Sequence, residues 1–231
     1  MKLAIVGYGK MGHIIERLAP EYGLETKLRL DLDNNANFEG LTKPNFHGID
    51  VAIEFSTPST ALENVERLAG LGVNVVVGTT GWFDKLDRAR AAVDKAGTGL
   101  VWGANFSVGV SVFSHLVAEA ARLLARQPEY SAWAWEIHHS TKKDALSGTI
   151  LALVETMKKN GYDKPIDMAA NRAGTHAGTH EIGFDSAADT ITIRHTARSR
   201  DGFARGALRA ARWLAGKKGF YDFRDIIGQL E

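Results

Sequence analysis

The chain has 231 residues, 45% of them hydrophobic and 24% charged, with a formal charge of +1 and no cysteine. That length buries a sizeable core, as one large or two small domains. The balanced charge, without a basic run, argues against nucleic acid or a membrane surface as the main partner, and the missing cysteines exclude a disulfide framework and a thiolate metal site. The opening MKLAIVGYG is apolar for too short a stretch to be a signal peptide or a spanning helix, so a cytoplasmic protein is expected.

In chain order, Lys2–Val6 is an apolar run ending in glycine and predicts a buried strand. Met11, Ile14, Ile15, Leu18 and Ala19 then follow helical spacing, with Pro20 as the stop. Further strands are expected over 26–32, 51–55, 73–77 and 100–102. Helices fall between them, marked by Leu62, Val65, Leu68 and Ala69 and then by Phe83, Leu86 and Val93. Strands alternating with helices imply a Rossmann-like, doubly wound parallel sheet with helices on both faces. From Phe113 the character changes. Phe113, Leu116, Val117, Ala120 and Leu124 predict a long amphipathic helix, and a strand over 130–138 has Trp133, Trp135 and Ile137 alternating. A helix with Ile150, Leu153, Val154 and Met157 on one face follows. Strands over 180–185 and 190–196 are expected to pair antiparallel across Ala188-Asp189, which gives an α+β module with an open sheet. The stretch 160–178, rich in Gly, Ala, Thr and Asn, reads as a mobile loop. Phe203, Ala207, Ala211 and Leu214 form a final helix, stopped near Gly216.

Between the first strand and the first helix lies GYGKMG, comprising Gly7, Tyr8, Gly9, Lys10, Met11 and Gly12. Gly7 permits the tight turn, and Gly9 lets backbone approach a pyrophosphate favoured by the helix N-terminus. The spacing fits G-x-G-x-x-G, a dinucleotide-binding pattern in this context. An acidic residue at the end of the second strand is expected to bind the ribose hydroxyls; Asp31 sits there, and Asp33 is the near alternative. The loops GTTG, with Gly78, Thr79 and Thr80, and GANF, with Gly103, Ala104, Asn105 and Phe106, also follow strands and are expected to line the cofactor.

EIHHSTKKDALSGT, residues 136–149, gathers two histidines, a lysine and a helix start. His138 should share a strand face with Glu136, opposite Trp133, Trp135 and Ile137. Extended, His138 and His139 point to opposite faces, so no metal is expected. Asp144 or Ser147 can cap the following helix. Ser147, Gly148 and Thr149 would then offer N–H groups and hydroxyls around a small concavity near Lys142, suited to a carboxylate or phosphate. An anion seat beside proton-transfer groups, with a dinucleotide nearby, makes a reductase site.

This segment resembles the signature E-x-H-H-x-x-K-x-D-A-P-S-G-T of the 4-hydroxy-tetrahydrodipicolinate reductase (dihydrodipicolinate reductase) family. GYGKMG, VAIEFSTP, VVVGTTG, ANFSVGV, the G-x-H-E-I-x-F segment at 178–184, TARSRDGFARGALRAARWL and GFYDF extend the similarity along the chain. The resemblance implies that NADH or NADPH reduces a cyclic imine dicarboxylate in lysine and diaminopimelate biosynthesis. It implies a proton donor or acceptor at His138, a proton donor at Lys142, and substrate binding by His139, Gly148 and Thr149, with Ser147 at the same helix start. It implies cofactor binding at 7–12, 78–80 and 103–106. It also implies a dinucleotide-binding domain of 1–107 with 199–231, a substrate-binding domain of 108–198, and a homotetramer joined through the substrate-domain sheets. The alternatives are another two-domain amino-acid or sugar dehydrogenase and a non-catalytic dinucleotide sensor. Three features depart from the family pattern: Leu146 stands where proline precedes Ser-Gly-Thr, the 160–180 segment is short, and Asp31-Leu32 lacks the arginine that often meets a 2′-phosphate.

Overall fold

The computed structural model describes residues 1–230. It divides into two compact units, Met1–Val108 together with the chain from Asp201 onward, and Gly109–Arg200. The first unit begins with β1 (Lys2–Val6), α1 (Lys10–Leu18), β2 (Glu25–Leu30), α2 (Leu32–Asn35), β3 (Val51–Glu54), α3 (Ala61–Gly70), β4 (Asn74–Val77), α4 (Leu86–Ala96) and β5 (Gly99–Trp102). The second expected strand stops at Leu30, two residues early. Asp31 turns the chain there by capping the short α2.

In the second unit, α5 (Val108–Leu124) leads to β6 (Ser131–His138), α6 (Gly148–Lys159), β7 (Ile166–Arg172), β8 (Thr179–Asp185) and β9 (Thr190–Thr196). The sheet order is β7-β6-β8-β9, with β7 parallel to β6 and the other pairs antiparallel. Phe113 and Val117 of α5 and Ile150, Leu153 and Met157 of α6 pack on Ala132, Ala134, Ile182 and Phe184. The strand β7 corrects the expected 160–178 loop. It is an edge strand, mostly exposed, so IDMAANR carries no apolar alternation to betray it.

The chain then returns to the first unit as α7 (Asp201–Trp213), β10 (Gly219–Asp222) and α8 (Phe223–Ile226). Its six strands run parallel in the order β10-β5-β4-β3-β1-β2. Leu3, Ile5, Ile53 and Val76 face α1 and α7 in one core cluster. Ala4, Val6, Ala52 and Val75 face α3 and α4 in another. Burial on both faces explains why these strands read as unbroken apolar runs rather than alternating ones.

Candidate active site

The strand register aligns Leu30, Val6, Glu54, Val77 and Trp102 across the sheet. The loops beginning at Asp31, Gly7, Phe55, Gly78 and Gly103 therefore share the carboxyl edge, where doubly wound sheets bind ligands. Gly7 turns there with φ +92°, and a Cβ on it would lie 2.1 Å from the Phe55 carbonyl oxygen. Around Gly9 a Cβ would meet nothing within 4 Å, so that backbone is open to a close-lying ligand. Gly9 caps α1 without a side-chain bond, and the first turn holds no acidic residue, which leaves the helix N-terminus suited to an anion. Lys10 is exposed beside it, and Met11 packs partly against the core. Gly12 starts the helix close under the loop: a Cβ there would lie 2.7 Å from the Gly7 carbonyl oxygen.

The remaining edge residues take distinct places. The Tyr8 hydroxyl donates to Glu16, which also accepts from Arg29 Nε at 2.7 Å. The Asp31 carboxylate accepts the Asn34 N–H, while the Asn34 side chain accepts the Asp31 N–H at 2.8 Å. Asp33 lies within α2. Thr79 is buried, its hydroxyl accepting the Ser56 N–H at 2.7 Å, whereas Thr80 is exposed. The Phe55 ring covers Gly78. Gly103 is buried, Ala104 is exposed, and the Asn105 side chain accepts the Ser107 N–H at 2.8 Å. Phe106 belongs to the core, its ring 4.6 Å from that of Phe223, so it offers a ligand backbone rather than side chain. Sequence reasoning passed over Glu54. Burial pushes its carboxyl up, and bonds from Ser56, Thr79 and Asn64 offset only part of that; the Glu54 carboxyl accepts from Asn64 Nδ2 at 3.1 Å, and the Ser56 N–H on Thr79 joins the loops after β3 and β4.

In the second unit, the alternation of β6 buries Ala132, Ala134, Glu136 and His138 on one face. Glu136 is fully buried and forms the hub. Its carboxylate accepts the Ser147 N–H at 3.0 Å, the Ser147 hydroxyl, and Arg172 Nη2 at 2.8 Å. His138 Nδ1 lies 3.6 Å from it, and His180 Nε2 lies 3.5 Å from it and 3.1 Å from Ser147 Oγ. Burial pushes the Glu136 carboxyl up, but the Ser147 and Arg172 bonds outweigh this and hold it below the usual range. Burial lowers His138, against the pull of Glu136. Its Nδ1 thus faces a carboxylate, which favours the tautomer protonated there and leaves Nε2 as acceptor. Gly178, at φ +138°, packs on that ring: a Cβ would lie 3.0 Å from His138 Nε2.

Ser147, not Asp144, caps α6, its hydroxyl accepting the Ile150 N–H at 3.3 Å. Asp144 instead pairs with Lys142 Nζ at 2.8 Å. Gly148 is exposed and Thr149 half-buried at the helix start, and His139 Nδ1 meets Thr141 Oγ1 at 2.8 Å. Gly178 and His180 open the G-x-H-E-I-x-F segment but carry no site role on sequence grounds, and Arg172 falls within the expected loop. They lie more than thirty residues from Glu136 and His138, and only the pairings of β6 with β7 and β8 bring them in. Glu136, His138 and His180 also place ligand atoms within 4.8 Å of one another. Arg172 and Ser147 already occupy the carboxylate, and a divalent cation would face a fixed guanidinium, so the cluster suits a hydrogen-bond network better than a metal centre.

His180 gives this network a pH signature. Burial, with His138 beside it, pushes its imidazole down to about 4 from 6.5. Between those values the unfolded chain binds the extra proton, so stability falls as pH falls through that window. His138 and His195, both lowered by burial, act in the same direction. Melting temperature is expected to drop from pH 7 to 4, and less steeply in His180→Asn. Equal slopes for the two proteins would contradict a buried neutral His180.

A parallel sheet with a glycine turn at its carboxyl edge, and a separate α+β unit that gathers histidines, a lysine and carboxylates in one segment, form the layout of two-domain dinucleotide-dependent reductases and dehydrogenases. Residues 1–106 match the family model for the N-terminus of dihydrodipicolinate reductase, and residues 109–227 match that for its C-terminus. The chain belongs to the dihydrodipicolinate reductase family. A 4-hydroxy-tetrahydrodipicolinate reductase from Christiangramia forsetii is 35% identical, with 100% of this chain and 99% of the relative covered. One from Archaeoglobus fulgidus is 33% identical, covering 98% and 100%. A dipicolinate-bound dihydrodipicolinate reductase from Paenisporosarcina sp. TG-14 has a similar fold, with TM-score 0.81 at 20% identity, covering 98% and 99%.

Proposed function

We propose that the chain is an NAD(P)H-dependent oxidoreductase that reduces 4-hydroxy-tetrahydrodipicolinate, a cyclic imine dicarboxylate, to tetrahydrodipicolinate on the diaminopimelate route to lysine. The observation that carries this reading is the 136–149 segment, which joins a neutral imidazole, a lysine and an open helix start in a chain of this family. The residues of the first unit fit a dinucleotide, with Gly7–Gly12 at the pyrophosphate, Asp31 at the ribose, and 78–80 and 103–106 along the same edge. When bound, the reduced nicotinamide supplies the hydride.

The chain's own residues manage the substrate and its proton. Loss of water gives a conjugated diene-imine, and the enamine carbon left after reduction takes a proton from Lys142. His138, held by Glu136 and Gly178, presents an acceptor nitrogen that orients a substrate or water proton. His139, Lys142 and the Ser147–Thr149 helix start hold the two carboxylates. Fixed donors aimed at developing charge are the usual source of a large rate effect. Loss of nicotinamide absorbance on addition of freshly generated substrate tests the activity, and its absence would return the chain to another dehydrogenase class or to dinucleotide sensing. A homotetramer joined through the second sheet, in the cytoplasm, completes the reading. Half-buried Trp133 and Trp135 lie on the sheet face opposite the packed helices. Among the described residues no helix is long and apolar enough to cross a membrane.

Two results follow from placing substrate and cofactor on different units. Thr149→Val should raise KM for substrate well above any change in KM for cofactor, and equal changes would contradict the layout. NADH should be preferred or both cofactors used, because a 2′-phosphate would sit beside Asp31 while Arg29 is already committed to Glu16. Specificity constants decide this: a preference for NADPH of about tenfold, roughly 1.4 kcal/mol, would overturn it.

A further inference from the structure

We propose that Arg172, at the end of β7, is the positioning residue that clamps the Lys142 turn onto the buried sheet face, and that it supplies the order a proline at 146 would otherwise give. The inference rests on the reading of 136–149 as the catalytic segment. One guanidinium nitrogen, Arg172 Nη2, donates to Glu136 Oε1 at 2.8 Å, to the Ala145 carbonyl at 3.0 Å and to the Asp144 carbonyl. Glu136 is fully buried and also held by Ser147, whose N–H donates to Oε1 and whose hydroxyl donates to Oε2, so it is a fixed point. The Asp144 carboxylate in turn holds Lys142 Nζ at 2.8 Å. The contacts therefore run without a gap from the sheet interior to the lysine ammonium. The residues after β7 add to the hold: the Ala173 N–H donates to the His138 carbonyl at 2.9 Å, and the Ser140 N–H to that of Gly174 at 3.1 Å.

The turn needs such a clamp. Its internal bonding is sparse, with the Lys142 N–H donating to the His139 carbonyl at 3.1 Å. Leu146 has a freer backbone than proline, whose ring fixes φ. Arginine is suited to the task, since its guanidinium stays charged and the two N–H groups of Nη2 are shared among the carboxylate and the two carbonyls, while Nη1 donates to the Asn171 carbonyl at 2.7 Å. A merely structural arginine would support the unit as a whole; a positioning one would affect the turn and the chemistry while sparing the rest.

The test compares wild type, Arg172→Met, Arg172→Lys and Arg172→Met with Leu146→Pro. Each is measured by steady-state kinetics with NADH and by amide hydrogen exchange. Arg172→Met is expected to lower kcat by about tenfold or more, with KM for NADH within about twofold. Exchange should quicken over 139–147 and stay unchanged in β8. Adding Leu146→Pro should recover part of both losses. Arg172→Lys, which keeps a charge beside Glu136, should fall between, and it carries the comparison if the methionine variant does not fold. A kcat within about twofold of wild type, exchange that rises evenly through the unit, or no recovery with proline would each overturn the proposal. Should the wild type fail to reduce the imine dicarboxylate, the functional reading fails, while the exchange comparison still decides whether Arg172 clamps the turn.

Discussion

Replacing Lys142 with alanine is expected to lower turnover on the order of a hundredfold or more, the usual scale for a lost acid–base group. The side chain is partly exposed on a turn and, among the described residues, pairs with the half-exposed Asp144, so folding should survive its loss. The effect should fall on kcat more than on KM for the cofactor, because Lys142 belongs to the second unit and the glycine turn to the first. His138→Ala should cost turnover on a similar scale of about a hundredfold. His138→Asn keeps a polar group of similar size and should keep the fold. Near-normal turnover in the lysine and histidine variants together would remove both from the chemistry.

Glu136→Ala is expected to have the largest effect on stability, about 3–5 kcal/mol, the usual cost of removing one partner of a buried charge pair. The loss strands the Arg172 guanidinium, whose side chain is 19% exposed, and removes the acceptor for both Ser147 donors. The α6 cap is then left without its anchor, and His138 loses the carboxylate that sets its tautomer. Activity should fall with stability, because the proposed substrate-carboxylate seat at Ser147–Thr149 and the His138 imidazole share this support. Denaturant unfolding of the two proteins measures the loss; a difference below about 1 kcal/mol would show that the site can close over the gap.

Both predictions depend on features that were unequally legible in the sequence. The alternation of Trp133, Trp135 and Ile137 placed Glu136 and His138 on one face, because the side-chain period of a strand is two. GYGKMG was legible because its glycines answer local needs: Gly7 must turn under Phe55, and Gly12 must pack beneath Gly7. The N-cap stayed open between Asp144 and Ser147, since either side chain can accept a helix N–H. Only the bond from Ile150 to Ser147, backed by Glu136, separates them.

Other parts could not be read locally. The strand β7 hid because an exposed edge needs no apolar alternation, and β10 because it is four residues long and joins the sheet beside β5 after an excursion of more than a hundred residues. His180 reads as an ordinary strand histidine until β8 pairs with β6 and sets it opposite Glu136. The sequence pattern carries the second strand through Asp31, whereas its carboxylate begins a helix. Arg172 stood inside a presumed loop, so no local pattern could link it to a carboxylate thirty-six residues earlier.

The most direct test of the central claim follows the hydrogen atoms through one turnover. Fresh substrate would be mixed with the purified protein and reductant deuterated at the transferable nicotinamide position, in ordinary water, and the product examined by mass spectrometry and NMR. The expected product carries one deuterium on a ring carbon and a solvent-derived hydrogen on the carbon protonated in the second step. Substrate recovered without deuterium while the protein still binds the dinucleotide would contradict the assignment as a reductase.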